Sequence, residues 1–130
     1  MPVADTCFLI DLMVRKQEAL DLYSSYEEQS LPLATTAITA LELYKGAYLS
    51  RKRDENIRKV KTILELFDCL PLDECTYEAF GAYSSVLVEK GDPIGDFDGL
   101  IAVIALCHDG VLITRDRHFS RIPGLRVLAY

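Results

Sequence analysis

The stretch Leu100-Ile101-Ala102-Val103-Ile104-Ala105-Leu106-Cys107-His108-Asp109-Gly110-Val111-Leu112-Ile113 decides the fold class. A helix-length apolar run stops at Gly110, a residue that ends helices. The continuous apolar triplet Val111-Leu112-Ile113 follows at once. A strand apolar at every position has both faces buried, which is the habit of a parallel sheet covered by helices on either side. Thr114-Arg115-Asp116-Arg117-His118-Phe119 then forms a polar loop just past the strand.

The same alternation extends outward in both directions. Asp96 or Asp98 opens the apolar helix, after an Asp92-Pro93-Ile94-Gly95 loop. Before that loop, Asp73 caps a helix, with Thr76 as a second candidate, running through Phe80, Tyr83 and Leu87 to Gly91, a natural residue just past a helix end. Residues 53–67 form an amphipathic helix with Ile57, Val60, Ile63, Leu64 and Phe67 as its stripe. Cys69-Leu70-Pro71-Leu72 is a strand candidate, as are Leu31 to Thr35 and Pro2-Val3-Ala4. Asp5 ends that first strand, and Thr6 is positioned to cap a turn carrying Phe8, Leu9, Ile10 and Leu12. Another helix occupies residues 15–29. Thr36 opens one to about Ser50, within which Thr39 and Glu42 match a capping-box spacing. Pro123-Gly124 turns the chain into a last strand, Arg126-Val127-Leu128. Strands alternating with helices predict one α/β domain over residues 1–130 with a mostly parallel sheet.

Half of the 130 residues are apolar, enough to bury a core without staples and too many for a disordered chain. Fourteen Lys and Arg against twenty Asp and Glu give a formal charge of −6, which taken in bulk speaks against a nucleic-acid partner. The N-terminus has no basic, signal-like region, and the longest apolar run is too short to span a bilayer, so a cytoplasmic protein away from membranes is expected. Cys7, Cys69, Cys75 and Cys107 form no CxxC pair, and in that compartment they read as reduced, mostly buried small hydrophobes.

In open α/β sheets ligands bind beyond the carboxyl ends of the strands. Asp5 lies at one such end, and Thr114 and Asp116 at another. Asp96 and Asp98 sit at a helix N-terminus, and Glu42 one to two turns into the helix after the second strand. Each has a plain structural reading: a cap for Asp5, a partner of the helix dipole for Asp96 or Asp98, a pair with Lys45 for Glu42, and a surface pair with Arg115 or Arg117 for Asp116. Together, four or five carboxylates in one pocket would raise one another's pKa unless a hard divalent cation held them, which suggests metal-assisted hydrolysis of phosphodiesters. His118 as a general base is weaker, a lone loop histidine being more often structural.

Four segments in order resemble those of PIN-domain ribonucleases. They are Val3-Ala4-Asp5-Thr6-Cys7-Phe8-Leu9-Ile10-Asp11, the Glu42-centred residues 40–47, residues 93–102 around Asp96 and Asp98, and residues 112–119 followed by Ile122-Pro123-Gly124-Leu125. The nearest group is the VapC-like toxins of toxin–antitoxin pairs. The resemblance implies a three-layer α/β/α domain with a five-stranded parallel sheet and Mg²⁺- or Mn²⁺-dependent endoribonuclease activity. It assigns Asp5, Glu42 and Asp98 as core catalytic and metal-binding acids and Asp116 as a fourth, with Asp96 as a possible extra ligand. Thr114 and Thr6 are supporting hydroxyls. It also implies an RNA substrate, a cognate antitoxin and a homodimer, for which Tyr23, Tyr26, Tyr44 and Tyr48 could supply apolar surface.

An RNA path needs cations. Residues 45–61 carry seven basic residues against two acids, and Arg115, Arg117 and Arg121 flank the other side of the pocket. Lys45, Arg115 and Arg117 are the RNA-contact candidates, although an acidic antitoxin tail would suit the same groups. The alternatives are a PIN nuclease of rRNA processing or RNA quality control, disfavoured by the compact length, and a non-catalytic binding module, which predicts a damaged acid set. A phosphoacceptor receiver domain would need a Lys near the last strand, and no Lys follows Lys90. With the four acids set aside, the remaining charge is only −2, so the acidity is compatible with RNA.

Overall fold

The computed structural model describes residues 1–130. Five parallel strands form one sheet, β1 (Val3–Ala4), β2 (Ala34–Thr36), β3 (Asp68–Leu70), β4 (Val111–Ile113) and β5 (Arg126–Leu128), in the order β3-β2-β1-β4-β5. Six helices connect them: α1 (Thr6–Met13), α2 (Gln17–Glu28), α3 (Ala37–Leu49), α4 (Arg53–Leu64), α5 (Glu74–Glu89) and α6 (Asp96–Leu106). The architecture is the expected three-layer α/β/α fold with a five-stranded parallel sheet.

Strand alternation builds the two outer layers. In β1 Val3 packs on one face with Ile101, Ile104 and Ala105 of α6, while Ala4 packs on the other with Phe8, Leu43 and Val60. Leu112 and Ile113 of β4 divide in the same way, as the two-residue period of a strand requires. Both pairs are fully buried, and of the apolar triplet only Val111 is partly exposed. Tyr23, Tyr26 and Tyr44 pack partly buried against the α1–α4 core, and Tyr48 is exposed.

Several helix ends follow the sequence closely. Asp73 caps α5 in a reciprocal capping box with Thr76. Gly91, at φ +70°, closes its far end, and the Asp92 N–H reaches the Leu87 carbonyl at 2.9 Å. Elsewhere the expectations need correction. Asp5, not Thr6, caps α1, accepting from the Phe8 N–H at 3.0 Å. Thr36 caps α3 through the Thr39 N–H, so Thr39 and Glu42 form no capping box. The helix expected over 15–29 is α2 alone. β2 and β3 exclude Pro32 and Pro71, which cannot donate to a ladder. The loop after β4 contains an unforeseen short 3-10 helix, Arg117–Arg121.

The cysteines differ most. Cys75, in the first turn of α5, is bridged to Cys107, just past α6, and Cys69 is exposed. Thirty-two residues separate the bridged pair, and nothing local in their spacing marks it. Closing a loop of that size stabilises by about 3 to 4 kcal/mol in the chain-entropy account. Urea denaturation of a Cys75→Ser/Cys107→Ser variant should therefore show a loss of that order against the oxidised protein. Equal midpoints would mean that the bridge contributes nothing.

Candidate functional site

The sheet order creates the site. β1 leads leftward to β2 and β3, whereas β4 and β5 lie on its other side, so the connections part between β1 and β4. A crevice opens at such a switch point beyond the carboxyl ends. The two strands deliver Asp5 and Thr114 to it, and the Asp5 N–H is bonded to the Ile113 carbonyl at 3.1 Å.

Asp5 is only 3% exposed. Burial pushes its pKa up, and nearby Asp116 adds to the rise, against donors at Cys7, Thr114 and the Phe8 amide. The Cys7 thiol lies 2.9 and 3.1 Å from the two Asp5 oxygens. Asp98, in the first turn of α6, is half-buried. Its pKa is also raised, first by burial and then by Glu42, Asp116 and Asp5 in that order, with His118 opposing. That one residue therefore senses all three other predicted acids. Gly99 lets α6 approach α5 closely, since a Cβ there would sit 3.3 Å from the Phe80 ring.

Glu42 projects from α3 and accepts from the Thr6 hydroxyl at 2.7 Å, not from Lys45, and the same hydroxyl lies 3.1 Å from that of Thr39. Thr114 accepts from the Asp116 N–H at 2.9 Å. Asp116 pairs with neither neighbouring arginine. Its Oδ1 accepts from the His118 backbone N–H at 2.9 Å and lies 2.9 Å from His118 Nδ1, which leaves Oδ2 unengaged. Asp96 is exposed two residues before Asp98, about half a turn round the helix, and is absent from the charges acting on Asp5 or Asp98.

The donor set is made of carboxylate oxygens, of which Asp5 and Asp98 have pKa values raised by burial and then by neighbouring acids, a chemistry that suits a hard divalent ion. No three His, Cys, Asp or Glu side chains stand close enough together to hold an ion as they are.

Of the basic candidates, Lys45 and Arg117 are exposed and in no ion pair. Arg115 is different. Its guanidinium binds Asp11, with Nε 2.7 Å and Nη2 3.4 Å from the carboxylate. Sequence reasoning missed Asp11, which is 1% exposed and also accepts from the Tyr130 hydroxyl at 2.7 Å. An apolar residue of α1 would have been expected there, and only its place in the opening acidic segment hinted otherwise.

A doubly wound α/β fold with acids gathered at its switch point is thus in place. The chain belongs to the PIN-domain family, whose profile matches residues 3–125. Its relatives include Ribonuclease VapC1 of Haemophilus influenzae, 32% identical over 126 residues that cover 94% of this chain and 92% of that protein. The fold matches VapBC2 of Rickettsia felis bound to a promoter DNA fragment, with TM-score 0.91 at 22% identity over 98% of this chain and 97% of that one. VapBC-1 of nontypeable Haemophilus influenzae gives TM-score 0.84 at 28% identity, over 98% and 96%. No helix is long and apolar enough to cross a membrane.

Proposed function

We infer that this chain is a metal-dependent endoribonuclease, the toxin of a toxin–antitoxin pair. The carrying observation is the coupling of Asp98 to Glu42, Asp116 and Asp5 at the switch-point crevice. Likeness to a VapC ribonuclease over nearly the whole chain supports the nuclease reading. Likeness to a VapBC protein supports a cognate antitoxin as partner.

Asp5, Asp98 and Asp116, with Glu42, would hold Mg²⁺ or Mn²⁺, which when bound supplies Lewis acidity at the scissile phosphate. The chain's own residues prepare that site. Thr6 fixes the Glu42 carboxylate, and Thr114 fixes the backbone of Asp116. His118 engages Oδ1 of Asp116 and leaves Oδ2 without a partner. Lys45 and Arg117 stand ready for sequence-independent phosphate contacts. No side chain need act as nucleophile, since water is the attacking group in a hydrolysis. A cleft of about 210 Å³, lined by Ile10, Met13, Leu43 and Val60 beside Glu42, offers an antitoxin segment an apolar foothold next to the acids. A homodimer, acting in the cytoplasm, completes the reading.

The test is incubation of purified protein with labelled structured RNAs, with Mg²⁺, with Mn²⁺ and with EDTA. Internal cleavage that needs the metal is expected. Cleavage that persists in EDTA would refute the mechanism.

A further inference from the structure

We propose that Asp11 is a positioning residue for the acidic site, holding Asp116 in place through Arg115 and Asp5 through Tyr130 and Cys7. The inference rests on the metal-site reading above and adds to it a residue outside the four acids.

Asp11 is a buried carboxylate that the hydrolysis does not use. It lies near the end of α1, the helix that Asp5 caps, and the turn after it is tight. Arg15 there adopts φ 62°, and the Lys16 N–H folds back onto the Asp11 carbonyl at 2.9 Å. The side chain is fully engaged. Arg115 Nε and the Tyr130 hydroxyl both donate to Oδ2 at 2.7 Å, and Lys16 Nζ lies 3.5 Å from Oδ1. Burial alone would raise the Asp11 pKa, but Arg115, Tyr130 and Lys16 outweigh it and hold it below the ordinary range. The Asp11 hydrogen bond and then its charge in turn push the Arg115 pKa up.

Two routes lead from this carboxylate to the acids. The first runs along the backbone. Arg115 sits at a bend, and Asp116 next to it is extended, at φ −85° and ψ 113°, with its N–H bonded back to the Thr114 hydroxyl at 2.9 Å. Anchoring the Arg115 guanidinium on α1 therefore fixes the bend from which Asp116 projects within range of Asp5 and Asp98. At the far end of the 3-10 helix a second arginine completes the clamp. Arg121 pairs with Asp92 in the loop that precedes α6 and Asp98. The second route is a chain of contacts. The Tyr130 hydroxyl sits 3.6 Å from Cys7 Sγ, and that thiol donates to Asp5. The Tyr130 ring also meets Phe8 edge-on, with centroids 5.0 Å apart.

Partners one step behind metal ligands commonly set metal affinity by ten- to a hundredfold. The experiment measures Mn²⁺ binding by calorimetry, together with kcat and KM for RNA, on the wild type and on Asp11→Asn, Arg115→Gln and Asp5→Asn. Asp11→Asn keeps the shape of the side chain and removes its charge. Arg115→Gln alters an exposed side chain, so it remains informative should Asp11→Asn fail to fold. Expected is a roughly tenfold weaker Mn²⁺ affinity and a comparable fall in kcat for both variants, with KM within about twofold of wild type. Unchanged Mn²⁺ affinity in both would overturn the proposal. So would an Arg115→Gln effect confined to KM and its salt dependence, which marks a phosphate contact. If Asp5→Asn also left Mn²⁺ binding unchanged, the metal-site reading itself would fall.

Discussion

Replacing Asp98 with Asn is expected to cut RNA cleavage roughly 1,000-fold, about 4 kcal/mol of transition-state stabilisation. The same change should raise the melting temperature of the metal-free protein. Both effects come from one cause. Asp98 is held partly buried among Glu42, Asp116 and Asp5, and its carboxyl is harder to ionise there than in the unfolded chain. A neutral amide of equal size removes the burial cost of a charge and three repulsions. The favourable interaction of an acid with the α6 N-terminus is lost too, but it is the smaller quantity, since the net shift is upward. Sites that gather like charges trade stability for function in this way. Single-turnover cleavage and a thermal melt in EDTA check the two halves. A variant that lost activity and stability together would mean that Asp98 supports the fold and not the chemistry.

Adding Mn²⁺ is expected to raise the melting temperature in a pH-dependent way. An ion that binds only the folded state stabilises it by about 2.7 kcal/mol at one hundred times its Kd. For 130 residues that is a rise of roughly 10 °C. The sign with pH follows from Asp5 and Asp98, whose pKa values are both raised in the folded chain. The folded state therefore holds more protons than the unfolded one above the ordinary carboxylate range. This contribution to metal-free stability is fully present below that range and is lost as pH rises through the raised values. Protons and metal compete for the same oxygens, so the Mn²⁺ shift should be largest near neutrality and fade toward about pH 4. Differential scanning calorimetry across that interval provides the check. A shift independent of pH would place Mn²⁺ elsewhere than on these acids.

The sequence already carried much of the fold. The Val111-Leu112-Ile113 triplet identified a doubly buried strand, and Asp73 with Thr76 marked the start of α5, because strand burial and helix capping are written in adjacent residues. Asp5 and Asp98 stood out for a similar reason, lying at the N-terminal ends of α1 and α6, whereas Glu42 lies inside α3. What escaped was long-range. The Cys75–Cys107 bridge and the Asp11–Arg115 pair join residues 32 and 104 positions apart, and no local period encodes either. The compartment expected for the chain also argued against any disulfide. Arg115 read as an RNA contact because it adjoins Asp116 in sequence. The chain bends at Arg115, and its guanidinium is occupied on α1. The Thr6 cap was misplaced by one residue because Asp5 serves both as a cap and as a pocket acid.

The central claim is that Asp5, Glu42, Asp98 and Asp116 form one metal site at the junction of β1 and β4. A crystal of the protein soaked in Mn²⁺ and measured at the manganese absorption edge tests it most directly. The account predicts an anomalous peak within about 2.5 Å of oxygens from Asp5, Asp98 or Asp116. A peak bound elsewhere on the molecule, or an unbroken set of acids with none, would contradict it.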